Sequence, residues 1–150
     1  MLASESLGSE CAPINGRALS TNVNDPRVRN RVVTLLSATY PGDRLHDRRS
    51  EPRYPYPNLV HLSPLAGEDG TQSKASIVVV GKHLSVKGLG FFHRDPLAHR
   101  LMIASLEAGS DHWLGLLIDI FWCRFTRHGW YESGGKFLQV VASPLETSGA

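Results

Sequence analysis

Residues 113–124 read WLGLLIDIFWCR, from Trp113 to Arg124, and they decide the fold class. Apolar residues occupy both alternating faces of this run, which indicates a strand or bent hairpin running through a closed barrel. The run is shorter than the roughly 20 residues of a membrane-spanning helix, and it contains Asp119. No second carboxylate or nucleophile lies nearby in sequence, so we expect Asp119 to bond to the backbone or to a neighbouring arginine.

Around this run, short segments rich in β-branched and aromatic residues alternate with Gly, Pro, Asp and Ser from Pro55 onward. This pattern predicts an all-β domain with one core. Gly134-Gly135 indicates a tight turn or bulge before the last strand. The predicted strands are Asn58–Pro64, Ser73–Lys82, Gly88–His93, Arg100–Glu107, His112–Arg124 and Gly135–Ala142.

The amino-terminal part has a different character. Residues 1–24 lack large apolar groups and are predicted to be a disordered tail. Asp25-Pro26 is a helix start, and the helix should end near Tyr40 because Pro41-Gly42 cannot continue it. The apolar stripe of this helix favours packing on the domain over self-association or a membrane surface. The predicted organisation is a tail at 1–24, an amphipathic helix and linker at 25–43, the barrel at 44–142 and a tail at 143–150.

Composition and cysteine usage restrict the class of protein. The chain has 150 residues and a formal net charge of +2, too small to argue for nucleic acid as the main partner. Cys11 and Cys123 lie in dissimilar surroundings, so no disulfide is expected, and a cytoplasmic location without membrane insertion is the default. No metal-ligand spacing and no set of nucleophile, base and orienting group is present, so we expect neither a metal site nor an enzyme.

Arginines cluster ahead of the β region in Arg48-Arg49-Ser50-Glu51-Pro52-Arg53. Pro52 lacks an N–H and favours extended geometry at Glu51, so the cluster is predicted to be a loop or arm. Guanidinium groups match phosphate oxygens, or the paired acceptors of a guanine, with two parallel hydrogen bonds. The alternative is a solvated basic linker.

A second candidate stretch runs from His83 to Phe91, between two predicted strands. His83, Ser85 and Gly88 fall at intervals of two and three residues. Such a turn can present a ring nitrogen, a hydroxyl and backbone N–H groups on one side, which suits phosphate and base edges. The alternative is a hairpin turn with an ordinary serine.

Together the two stretches resemble the PilZ domain, a bacterial receptor family for cyclic di-GMP. Arg49 and Arg53 match the family's Arg-x-x-x-Arg arm, with Arg48 as a preceding extra arginine. Ser85 and Gly88 match its second motif, Asp or Asn-x-Ser-x-x-Gly, in which His83 replaces the usual Asp or Asn. The segments 120–124 and 131–137 resemble its last two strands. The resemblance extends from about residue 44 to residue 142.

This resemblance implies a six-stranded antiparallel barrel with the arginine arm lying across one face. It implies a cyclic di-GMP ligand, held by Arg48, Arg49, Arg53, His83, Ser85 and Gly88, that orders the arm and signals to a separate protein partner. No other cofactor and no catalysis are implied. A degenerate PilZ-like barrel that acts only as a protein-interaction module is the main alternative, favoured by His83. A barrel that binds RNA or single-stranded DNA is disfavoured by the small net charge.

Overall fold

The computed structural model describes residues 25–41, 52–65 and 76–146. The predicted amino-terminal tail, Arg48 and Arg49 lie outside these ranges, as do the last four residues of the carboxy-terminal tail. One helix and seven strands occur in the described residues: α1 (Pro26–Thr39), β1 (Tyr54–Pro55), β2 (Leu59–Pro64), β3 (Ile77–Leu84), β4 (Gly88–His93), β5 (Leu101–Glu107), β6 (Trp113–Phe125) and β7 (Tyr131–Val141).

The strands form a closed antiparallel barrel. Their order is β1-β3-β2-β5-β6-β7-β4, and an additional pairing of β3 with β4 joins the two ends of the sheet. Strands β2 to β7 therefore make the six-stranded barrel that the sequence predicted, and the two-residue β1 is an extension beside β3. Closure leaves the barrel proper without a free edge strand.

Strand boundaries differ most from the sequence-based prediction at β3 and β7. Strand β3 ends at Leu84 rather than at Lys82, so His83 lies within the strand and pairs with Gly90 rather than lying in the turn. The last strand begins at Tyr131, so Gly134 and Gly135 lie within β7 rather than in a turn before it. The reason is close packing: a Cβ at Gly135 would stand 2.7 Å from the carbonyl oxygen of Asp119 on β6. The register of β6 against β7 also shifts between Ile120 and Trp122, opposite these glycines. The short β1 was not predicted.

The barrel interior is filled by the inward faces of the strands. Burial alternates along β4, and along β2 as far as Leu62, which places Val60, Leu62, Leu89 and Phe91 inside. Strand β6 is buried from Leu114 to Ile118 on both faces, as its continuous apolar run predicted. Its last five residues, 121–125, are exposed.

Helix α1 packs its apolar stripe into the same core. Val28, Val32, Leu35 and Leu36 are buried and belong to one cluster with the barrel residues, which confirms the predicted helix and its packing face. Asp25 caps the helix by accepting from the N–H of Arg27 at 2.9 Å, and its other oxygen accepts from the N–H of Val140 on β7 at 3.1 Å. One carboxylate thus joins the start of the helix to the last strand.

The two bonds make Asp25 a test of helix docking. The Arg27 guanidinium and the Val140 N–H lower the pKa of Asp25 from 3.8 to about 2. Asp25→Ala should lower the free energy of unfolding by about 1–2 kcal/mol at neutral pH, through loss of the cap and of the bond to β7. The difference from the wild type should be full above pH 3.8 and should shrink as the pH falls towards 2. Urea titration measures it. Arg29→Ala, an exposed change on the same helix, serves as the control.

Candidate functional site

A cleft of about 320 Å³ lies on the outer surface of the barrel. It is lined by residues before β1, along β3 and β4, and from β6 and β7. Four of the predicted site residues line it together: Arg53, His83, Ser85 and Gly88. The structure thus brings the end of the arginine stretch to the same surface as the His83 to Gly88 stretch. The role of each residue in binding a ligand stays a prediction.

Two glycines make the floor of the cleft. Across four neighbouring strands His83 is opposite Gly90, Gly90 is opposite Gly134, and Gly134 is opposite Trp122. Directly opposite residues present their side chains on the same face of a sheet, so the imidazole of His83 and the indole of Trp122 share a face with these two glycine positions between them. The indole covers Gly134, whereas a Cβ on Gly90 would have no atom closer than 3.9 Å. The open part of the floor is therefore at Gly90.

Close approach requires glycine at two positions here. A Cβ on Gly134 would stand 2.2 Å from Nε1 of Trp122, so the indole lies directly against the strand. A Cβ on Gly88 would stand 2.2 Å from the carbonyl oxygen of Gly135, which is backbone and has no means of rotating away. Gly88 is therefore needed for the pairing of β4 with β7, whether or not it contacts a ligand.

The Ser85 hydroxyl organises the turn between β3 and β4. Its Oγ accepts from the N–H groups of Lys87 at 3.1 Å and of Gly88 at 3.2 Å. These two N–H groups, expected from the sequence to face a ligand, are therefore used within the turn. With two bonds accepted, the hydroxyl retains its own hydrogen as a donor. The carbonyl of Lys87 accepts from the N–H of Phe137 at 2.9 Å and holds the turn against β7.

Basic side chains surround the cleft. Arg53, Lys82, Lys87 and Lys136 line it, and Glu132 is the sole acidic residue among the described residues that do so. The ammonium of Lys136 lies 5.7 Å from the ring centroid of Phe121, a cation–π contact at the rim. This charge distribution favours an anionic ligand.

Glu132 is buried and neutralised by two cations. One carboxylate oxygen accepts from Lys82 Nζ at 2.7 Å, and the other accepts from Arg124 Nη2 at 2.9 Å. The bond from Lys82 lowers the pKa of Glu132, burial opposes that shift, and the bond from Arg124 adds to it. The carboxylate therefore stays ionised and fixes Lys82 in the cleft wall.

Sequence reasoning did not single out Lys82, Trp122, Glu132 or Lys136 as site residues. They lie within strands, and only the pairing register shows that they share a face with His83. Their signal in the sequence is weak, because lysines and aromatics at alternating strand positions are common on any half-exposed sheet.

Other charged and polar side chains have structural partners. Arg100 Nε donates to Asp119 at 2.6 Å, which confirms the expected tie to an arginine. The buried His93 contacts Ser133 Oγ at 2.7 Å and the backbone carbonyl of Asp95 at 2.8 Å. Within the three described ranges, no group of three or more His, Cys, Asp or Glu residues could hold a metal ion. Helix α1, the one helix in the described residues, is neither long nor apolar enough to cross a membrane.

The Glu132 ion pairs give a prediction for stability. Glu132→Gln should lower the free energy of unfolding by roughly 1–2 kcal/mol at neutral pH, since it removes charge-assisted bonds to partly exposed cations. The pKa of Glu132 is lowered on folding, so this difference should be full above the ordinary value of 4.5 and should diminish at lower pH. Denaturant unfolding of both proteins across that range measures it. A difference that is independent of pH would contradict the assignment.

Comparisons with known proteins place the fold in context. No family model matches the chain, and no curated protein matches it significantly. Among solved structures, it is similar to the Bacillus subtilis inhibitor of motility MotI/DgrA, with 11% sequence identity and a TM-score of 0.46. That match covers 64% of this chain and 44% of the other, so this chain spans less than half of that protein's length.

Proposed function

We propose that this protein is a cyclic di-GMP receptor that signals to a separate protein partner. The supporting observation is the basic cleft, in which Arg53 meets His83, Ser85 and Gly88 although at least 30 residues of chain separate them. These are the described members of both sequence motifs that resemble the PilZ family. Two short motifs that are remote in sequence thus share one surface.

The chemistry of the cleft fits cyclic di-GMP, which carries two guanines and two phosphodiester groups. Arg53, Lys82 and Lys136 supply cations for phosphate oxygens, and the Ser85 hydroxyl supplies a neutral donor. Guanine is flat, and the open floor at Gly90 would receive it between the imidazole of His83 and the indole of Trp122. Bases stack on aromatic side chains in this way in many nucleic-acid complexes.

The remaining arginines of the arm, Arg48 and Arg49, precede Arg53 by five and four positions in the sequence. In this proposal they add forked donors to the ligand that Arg53 contacts.

Ligand binding would act as a switch without catalysis. In this proposal a ligand with two phosphodiester groups draws Arg48, Arg49 and Arg53 together, orders the arm and creates a new surface for a partner protein. The competing function is a PilZ-like barrel that binds protein alone, and the observation in its favour is the histidine at position 83. Titration with cyclic di-GMP separates the two.

The arginines should carry most of the affinity. Arg49→Ala and Arg53→Ala should each weaken cyclic di-GMP binding at least about tenfold, because each charge-assisted contact contributes on the order of 1.5–3 kcal/mol. The unfolding midpoint should change little, since Arg53 is exposed. Calorimetric titration measures the affinity, with GTP and a short RNA as control ligands. Arg29→Ala, on the helix and outside the cleft lining, should bind like the parent. Parental affinity in both test variants would refute the assignment.

The residue at position 83 should affect how guanine is recognised. A neutral imidazole offers one acceptor nitrogen for the N–H groups of guanine, whereas an amide oxygen has two lone pairs that can accept them. His83→Asn restores the amide of the family motif, so it should tighten cyclic di-GMP binding. Calorimetric titration of parent and variant at one pH measures the difference. Equal affinities would place His83 outside the ligand contacts.

A further inference from the structure

A second concavity, about 840 Å³, lies on the outer face of the barrel next to the cleft. We call it the hairpin groove. Val80, Phe92, Glu132 and Arg124 are directly opposite one another across β3, β4, β7 and β6, and they make its floor. Its far wall comes from residues 124–130, where the β6–β7 hairpin turns.

The far wall extends beyond the barrel. Pairing of β5 with β6 ends at Leu101 and Asp119. Beyond that point, residues Trp122 to Phe125 of β6 pair with β7 alone among the described strands. The hairpin therefore presents large apolar groups to solvent. Phe125 is 63% exposed and Trp130 is 37% exposed, and Val78 continues the apolar surface along β3 at 53% exposure. A contiguous exposed patch of this kind marks an interaction surface.

Arginines surround the apolar surface. Arg124 and Arg127 line the groove, and the guanidinium of Arg94 lies 5.4 Å from the ring centroid of Trp130. Among the described lining residues Glu132 alone is acidic, and it is buried between Lys82 and Arg124. The accessible charge of the groove is therefore positive, which complements an acidic partner.

We propose that the hairpin groove binds an acidic protein segment that carries aliphatic or aromatic side chains. The floor of Val80 and Phe92 suits an apolar anchor, and the arginines at the rim suit carboxylates. A nucleic acid is a poorer fit, because Arg94 covers one face of Trp130 and the floor offers one aromatic ring for stacking. A flat membrane surface does not fill a concave floor.

This groove goes beyond the cyclic di-GMP site and is independent of it. Glu132 lines both concavities, but Arg53, His83 and Ser85 line only the cleft, whereas Arg127 and Trp130 line only the groove. Substitutions at Arg127 and Trp130 therefore test the groove without removing a residue of the cleft. Failure of one proposal is distinguishable from failure of the other.

The test uses three fluorescent peptides of equal length and the full chain. The first peptide alternates Asp or Glu with Leu and Phe, the second replaces its acids by Asn and Gln, and the third replaces its apolar residues by Ser. Only the first should bind, with a Kd of about 100 μM or tighter by anisotropy and weaker binding at higher salt. Arg127→Glu and Trp130→Ala should each weaken it at least about tenfold. Arg29→Glu, a matched charge reversal on α1, should leave it unchanged.

Arg127 lies in an exposed turn, so Arg127→Glu should leave the fold intact. It therefore reports on binding even if Trp130→Ala perturbs folding. Equal binding of the acidic and neutral peptides would overturn the charge argument. No binding of the acidic peptide would overturn the proposal, as would binding that survives Arg127→Glu. Single-stranded DNA and anionic vesicles form two further arms. If either binds through Arg127 and Trp130 while the acidic peptide does not, the partner class is wrong.

Discussion

Pairing of β3 with β4 is the constraint on which the rest of this structure depends. It joins the two ends of the sheet and turns a strand order that begins at β1 and ends at β4 into a closed barrel. The same pairing contains a register shift between Gly81 and His83, around Lys82. Both Lys82 and His83 line the cleft, so the irregularity that accompanies closure also shapes the candidate site.

The sequence predicted the features that depend on local patterns. The buried run of β6, the helix with its Asp25 cap and the tie of Asp119 to an arginine follow from periodicity, capping chemistry and the cost of burying a charge. The sequence also grouped Arg53 with His83, Ser85 and Gly88. Hydrophobic alternation does not link these residues, and the grouping came from the resemblance of two short motifs to those of the PilZ family.

Features that depend on register were not predictable from the sequence in this way. Gly134 and Gly135 predicted a tight turn or a bulge before the last strand. Strand β7 instead runs through them, and the register irregularity lies opposite them in β6, between Ile120 and Trp122. Gly134 lies against the Trp122 indole and Gly135 lies against the Asp119 backbone, so neither position has room for a Cβ. These contacts exist only after β6 and β7 pair. Trp122 and His83 are likewise 39 positions apart and meet across a trough only in the folded sheet. Knowledge of which residues are opposite one another has to come from the structure.

The position of β7 bears on how the chain folds during its synthesis. This strand pairs with both β4 and β6, and its Val140 N–H bonds to Asp25 at the start of the helix, 115 residues earlier. A ribosome releases the chain from the amino terminus, so β4 and β6 emerge before the strand that lies between them. Until residues 131–141 follow, each has an open edge, and the helix lacks part of its docking surface. The barrel is thus completed late, and a nascent chain that stalls before Tyr131 would present the unpaired edges of β4 and β6 to the cell.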